Sequence, residues 1–97
     1  MNMPHATWKP IRPEVHGRLS AGIIDSLPET SFAFPRARKE PMTDASHVRN
    51  AIARFDQVAD VADAERDLAF ANIQKAARYF GITMNETSWH ELFSRSA

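Results

Sequence analysis

Four histidines, His5, His16, His47 and His90, carry the side chains of this chain that titrate nearest neutral pH. A helical metal pair needs two ligands at i and i+4, as in H-E-x-x-H. His90-Glu91 is followed by Leu92, Phe93 and Ser94, so that motif fails. His47 falls in the first turn of an expected helix. It stands three residues before Asn50, and Asn50 stands four before Arg54, so the three share a face with Arg49 at its edge. Such a face can grip a phosphate, a carboxylate or a partner's loop. It can equally tie down the segment before it by bonding that segment's carbonyls and Glu29 or Glu40. The second use is favoured, because an irregular loop exposes backbone groups that need partners.

A second constellation is the basic run Arg36, Arg38 and Lys39 beside Phe32 and Phe34. Cations interleaved with aromatics bind single-stranded nucleic acid. Three charges are few for that task, and Glu40 follows at once. The plainer reading is a solvated loop, or one paired with the acidic stretch 56–67. That stretch, with Asp56, Asp60, Asp63, Glu65 and Asp67, lacks the D-x-D-x-D-G spacing of a calcium loop. Helix-start electrostatics account for it better. No serine sits in G-x-S-x-G, and three glycines, Gly17, Gly22 and Gly81, cannot build a phosphate-cradling loop. No catalytic, cofactor or metal residue is expected.

Composition sets the frame. The 97 residues suit one small domain, or a domain with a tail, and 43% hydrophobic content supplies one core. Twelve basic and twelve acidic side chains cancel, which argues against a general nucleic-acid glove. There is no cysteine, so disulfides and thiolate chemistry are excluded. The polar, proline-broken start MNMPHATWKPIRPEVHG has no apolar signal core, and no apolar run reaches the roughly 20 residues that span a bilayer. The expectation is a cytoplasmic protein with no membrane partner.

The elements that must position these residues are read from periodicity. Residues 1–26, with Pro4, Pro10 and Pro13, read as an arm, either loosely held or laying Trp8, Ile11 and Val15 on a groove or partner. Gly22-Ile23-Ile24 reads as a short strand or a buried contact. Residues 27–42 read as a loop pinned by Phe32 and Phe34. Val48, Ala51, Ile52, Phe55 and Val58 form one face of a helix over 44–58, capped by Asp44 or Thr43. A second helix over 63–80 ends at Gly81 in left-handed geometry. A third over 86–95 follows a Thr83-x-x-Glu86 capping box, with Asn85 a rival cap.

The stretch LPETSFAFP…RKEP…DASHVRNAIARF…VADAERDLAF resembles a bacterial and phage-associated family of domains of unknown function. The resemblance covers about residues 26–92. Glu29 stands where that family's pattern has aspartate, and Ala62 where it has a serine cap, which leaves Asp60 or Asp63 to start the second helix. The family brings no activity with it.

The expected fold is therefore all-α: a small three-helix domain over 27–97 with an aromatic-anchored loop and an extended N-terminal arm over 1–26. The expected core holds Phe32 or Phe34, Val48, Ile52, Phe55, Leu68 or Ala69, Ile73, Phe80, Trp89 and Leu92. The expected role is a non-enzymatic interaction or structural module, binding a protein partner or itself, in a phage or prophage setting. Weak nucleic-acid binding is the alternative. The candidate contact residues are Trp8, Arg36, Arg38, Lys39, His47, Arg49, Asn50 and Arg54.

Overall fold

The structure, a computed structural model, describes residues 4–12, 15 and 17–93. In chain order it has α1 (Ala21–Ser26), β1 (Phe32–Phe34), β2 (Lys39–Pro41), α2 (Ala45–Arg54), α3 (Asp63–Tyr79) and α4 (His90–Phe93). Single 3₁₀ turns precede β1 (Glu29–Ser31) and follow α2 (Phe55–Gln57).

The all-α three-helix expectation is overturned. Among the described residues about 49% are helical and two helices exceed six residues, and the aromatic segment is one strand of an antiparallel sheet. Phe32 pairs with Pro41 and Phe34 with Lys39, and the Met42 N–H donates to Ser31 O at 2.8 Å, which carries the pairing one step further. Left-handed backbone occurs at two residues that rarely adopt it, Arg38 (φ 53°) in the return from β1 to β2 and Glu40 (φ 59°) within β2. Neither is Gly or Asn, so the local turn chemistry that announces a hairpin is missing.

Two other elements differ from expectation. Gly22, Ile23 and Ile24 are helical, started by Ser20, whose hydroxyl accepts from the Ile23 N–H at 3.2 Å. The α1 helix buries none of its residues. The last helix is a single turn, His90–Phe93. Residues 82–86 carry no regular structure, and residues 94 and 95 of the expected helix lie outside the described residues. No helix starts at Thr83 or Asn85. Instead the Glu91 carboxylate accepts from the Thr87 N–H (2.6 Å) and hydroxyl (2.9 Å) and from the Ser88 N–H (3.1 Å).

The two main helices follow their sequence signals. Asp44 caps α2, accepting from the His47 N–H at 2.9 Å. At the start of α3 the Glu65 carboxylate accepts from the Ala62 N–H at 2.9 Å, supplying the half of a capping box that an alanine cap permits. At its end, Gly81 (φ 74°) bonds Arg78 O at 3.3 Å and Ile82 bonds Ala77 O at 2.7 Å, the paired contacts of a Schellman closure.

The core lies where α3 crosses β1, with α2 closing the other side of both helix and hairpin. Phe32 and Phe34 are both fully buried, with Val48, Ala51, Phe55, Ala69, Ile73 and Leu92. Ile52, Phe80 and Trp89 pack against this cluster half-buried. Two of the buried residues outside the expected core join distant segments. Trp8, in the arm, is 1% exposed and its indole N–H donates to Met42 O at 3.1 Å. Asn72, on the buried face of α3, is 0% exposed. Its Oδ1 accepts from the backbone N–H of Thr7 (2.7 Å) and Trp8 (2.9 Å), and its Nδ2 donates to Ala33 O at 2.9 Å. One amide thus joins the arm, β1 and the long helix.

An apolar replacement at this position orphans backbone groups that water reaches poorly, at about 1–3 kcal/mol each. Asn72→Leu is expected to lower unfolding free energy by about 3 kcal/mol or more, read as a shift in the urea midpoint followed by tryptophan fluorescence. A shift below about 1 kcal/mol contradicts the clasp.

Candidate functional site

A groove of about 570 Å³ runs between the arm and α2. One wall is Gly17, Arg18, Leu19 and Ile24; the other is Ser46, His47, Asn50 and Arg54, with Glu40 and Pro41 of β2 at its edge. A second hollow of about 320 Å³ continues past Glu40 and Arg54, which line both, toward Lys39, Gln57 and Asp60. The size of the first falls within the range of ligand-binding clefts, about 300–1,000 Å³.

Asp44 organises the groove. Its Oδ1 meets the His47 backbone N–H and, at 2.7 Å, the His47 ring Nδ1; its Oδ2 accepts from the Gly17 N–H at 3.1 Å. One carboxylate thus fixes the imidazole and holds the arm's wall against α2. Burial pushes the Asp44 carboxyl upward, but the hydrogen bonds from His47 and Gly17 outweigh it and hold the group below the ordinary aspartate range. The outer wall has a second latch. The Arg38 guanidinium donates to the carbonyls of Ile24 (3.0 Å), Asp25 (3.4 Å) and Leu27 (2.8 Å) while lying over the Phe32 ring at 4.6 Å. These carbonyls lie at the end of α1, where Ile24 O also accepts from the Leu27 N–H at 3.1 Å.

Glu40 combines two unfavourable features. It holds left-handed backbone, and burial raises its carboxyl above the ordinary glutamate range against the opposing fields of Arg54, Lys39 and His47. Strain and a desolvated charge at one groove residue are features that stability alone does not select.

The eight contact residues expected from sequence separate into three groups. His47, Asn50 and Arg54 line the groove together; Lys39 lines the adjoining hollow, and Arg49 is exposed on the same helix. Arg36 and Arg38 serve the fold: Arg36 donates to both Glu65 oxygens at 2.6 and 3.1 Å and to Asp60 O at 3.1 Å. The third group is Trp8 alone, sealed in the core. The side-chain hydrogen bonds that fix the hairpin come from Arg36, Arg38 and Asn72, while Arg54 and His47 of the α2 face act on Glu40 through charge. His5 is exposed, His16 lies outside the described residues, and His90 stacks on Trp89 with ring centres 3.7 Å apart. Sequence reasoning missed Arg18, Leu19 and Glu40 as groove residues. The pairing of a non-glycine left-handed turn with a distant arm has no local signature.

A family model covers residues 22–87, the span from α1 through the hairpin, α2 and α3. The chain belongs to a family of unknown function, DUF6582. The DUF6582 span contains β2 and the whole α2 wall of the groove, while Trp8 and the Gly17–Leu19 wall precede it. No curated protein and no solved structure matches the chain.

Two expectations follow from Asp44 and Glu40. A carboxyl held below its ordinary value of 3.8 stabilises the fold above that pH, and this contribution is lost as pH falls through the lowered value. The stability difference between the wild type and Asp44→Asn is therefore expected to be constant above pH 5 and to shrink in more acidic solution, measured by urea melts across pH. Glu40→Gly relieves the left-handed backbone and removes a half-buried acid, and is expected to raise stability by about 1 kcal/mol at pH 7. A loss of stability shows that the Glu40 side chain holds the hairpin.

Proposed function

We propose that this member of DUF6582 is a non-enzymatic module that binds a partner polypeptide along the groove between the arm and α2. The observation that carries this reading is the division of labour among the polar side chains. Arg36, Arg38 and Asn72 hold the hairpin, which leaves Asn50 and Arg54 exposed on a concave surface of about 570 Å³. The Asp44–His47 contact supports binding over catalysis: both Asp44 oxygens are committed to the start of α2 and to the arm, as a scaffold requires.

The nucleic-acid alternative draws less support. Two of the three cations of the basic run are engaged within the molecule, Arg36 by Glu65 and Arg38 by the end of α1. Glu40 also sits where a phosphate backbone must pass. A phage or prophage setting rests on the sequence resemblance alone, and the genes that flank this one test it.

Filling the groove tests the proposal. Ser46 is exposed and lines the groove, so Ser46→Trp is expected to leave the melting temperature within about 2 °C, as for surface substitutions generally. It should abolish retention of a partner that the wild type holds in a pull-down. Light scattering shows whether that partner is a second copy of the chain. A partner held equally by both proteins, or a strict monomer that retains nothing at high concentration, counts against a groove-binding module.

A further inference from the structure

We infer that the seat of the N-terminal arm is a peptide-binding site that also accepts residues 4–12 of a second copy, so that two chains pair by exchanging arms. The site is separate from the groove and does not rest on it.

The arm is held as a bound peptide is held. Among the described residues of 4–26, Trp8 alone is buried. Its indole meets the rings of Tyr79 and Phe80 edge-on, with centres 5.6 and 5.8 Å apart, and its N–H donates to Met42 O at 3.1 Å. Main-chain N–H groups add three bonds. Thr7 and Trp8 donate to Asn72 Oδ1 at 2.7 and 2.9 Å, and Lys9 donates to Thr30 O at 3.0 Å. One aromatic anchor beside main-chain hydrogen bonds is a recurring grip on an extended peptide.

The seat is fixed by groups outside the arm. Asn72 Nδ2 donates to Ala33 O at 2.9 Å, which orients the amide, and the Met42 N–H donates to Ser31 O at 2.8 Å, which orients the Met42 peptide. Thr30, Met42, Asn72, Tyr79 and Phe80 all lie within the DUF6582 span of 22–87, and the arm lies before it. The family domain thus carries the receptor, and the arm is an appended ligand.

The tether is long enough to let that ligand leave. Residues 9–26 join Trp8 to Leu27, the next buried residue among those described. Within them α1 is about 9 Å long, and the other residues reach about 40 Å when extended. Together they outreach the molecule's longest axis of 34 Å. An arm can therefore cross to a neighbouring seat and make there the bonds that it makes at home. Two exchanged copies keep every arm contact, so concentration sets the balance between the pair and the closed chain. A tethered arm competes at an effective concentration of about 1 mM, which places exchange near that chain concentration.

Two experiments test the inference. The first empties the seat of the full chain with Trp8→Ala and adds a dye-labelled peptide of residues 4–12. Fluorescence anisotropy is expected to show saturable binding with a Kd at or below about 1 mM. A Trp8→Ala version of the peptide should bind at least about tenfold more weakly, as for loss of an aromatic anchor. A Trp8→Ala chain that does not fold alone is expected to regain its helical circular dichroism when the peptide is added. The second experiment leaves the core intact. Isotopically heavy and light wild-type chains are mixed at about 1 mM, and native mass spectrometry is expected to find mixed dimers. Ser46→Trp, which fills the groove, should keep them. A chain that neither binds nor folds with millimolar peptide overturns the inference, as does equal binding of the two peptides. Peptide binding without mixed dimers overturns the exchange between copies. Mixed dimers that persist undiminished in Trp8→Ala, or that vanish in Ser46→Trp, also overturn it, because pairing then uses another surface.

Discussion

The structure depends on one buried amide. Asn72 is fully enclosed, yet each of its polar atoms has a backbone partner, two N–H groups of the arm on one side and the Ala33 carbonyl on the other. A buried amide without partners is destabilising, and one with all of them specifies a single arrangement, because no register shift of the arm or the strand preserves the set. The Trp8 indole then fills the space beside it and bonds Met42 O, so the arm also fixes the strand exit that leads into α2. The position of the α2 face, and of the groove it lines, follows from that contact.

The groove is built unevenly. Its α2 wall stands on core residues Val48, Ala51 and Phe55. Its outer wall has no buried side chain within α1 and hangs on the Asp44–Gly17 bond and the Arg38 contacts to the end of α1. Hydrogen bonds to charged groups are worth more than neutral ones, about 1.5–3 kcal/mol, but they do not add the cooperativity of a packed interface. A rigid wall facing a tethered one is an arrangement that admits adjustment to a partner without disturbing the core.

Much of the helical frame could be read from the chain. The i, i+3, i+4 spacing of Val48, Ala51, Ile52 and Phe55, the Asp44 cap and the Gly81 stop are local signals, and local signals place helices. The hairpin was hidden because Arg38 and Glu40 adopt left-handed backbone that their types disfavour, held there by tertiary bonds such as Arg38 to Leu27 O. The role of Trp8 was hidden because its partner lies 64 residues away. Of the site, His47, Asn50 and Arg54 were legible as one face of a helix. The opposite wall, Gly17 to Ile24, was not, since only the docked arm brings it there.

The distance in sequence between Trp8 and Asn72 has a consequence for how the molecule is made. As the chain leaves the ribosome, the tryptophan emerges early and the asparagine late, so the indole has no native seat until most of α3 is outside the exit tunnel. The hairpin and α2 can form in that interval, and capture of the N-terminal segment waits until α3 is available. Nascent chains stalled before residue 72 would present an unseated aromatic side chain to chaperones and proteases, and release of a few more residues would withdraw it.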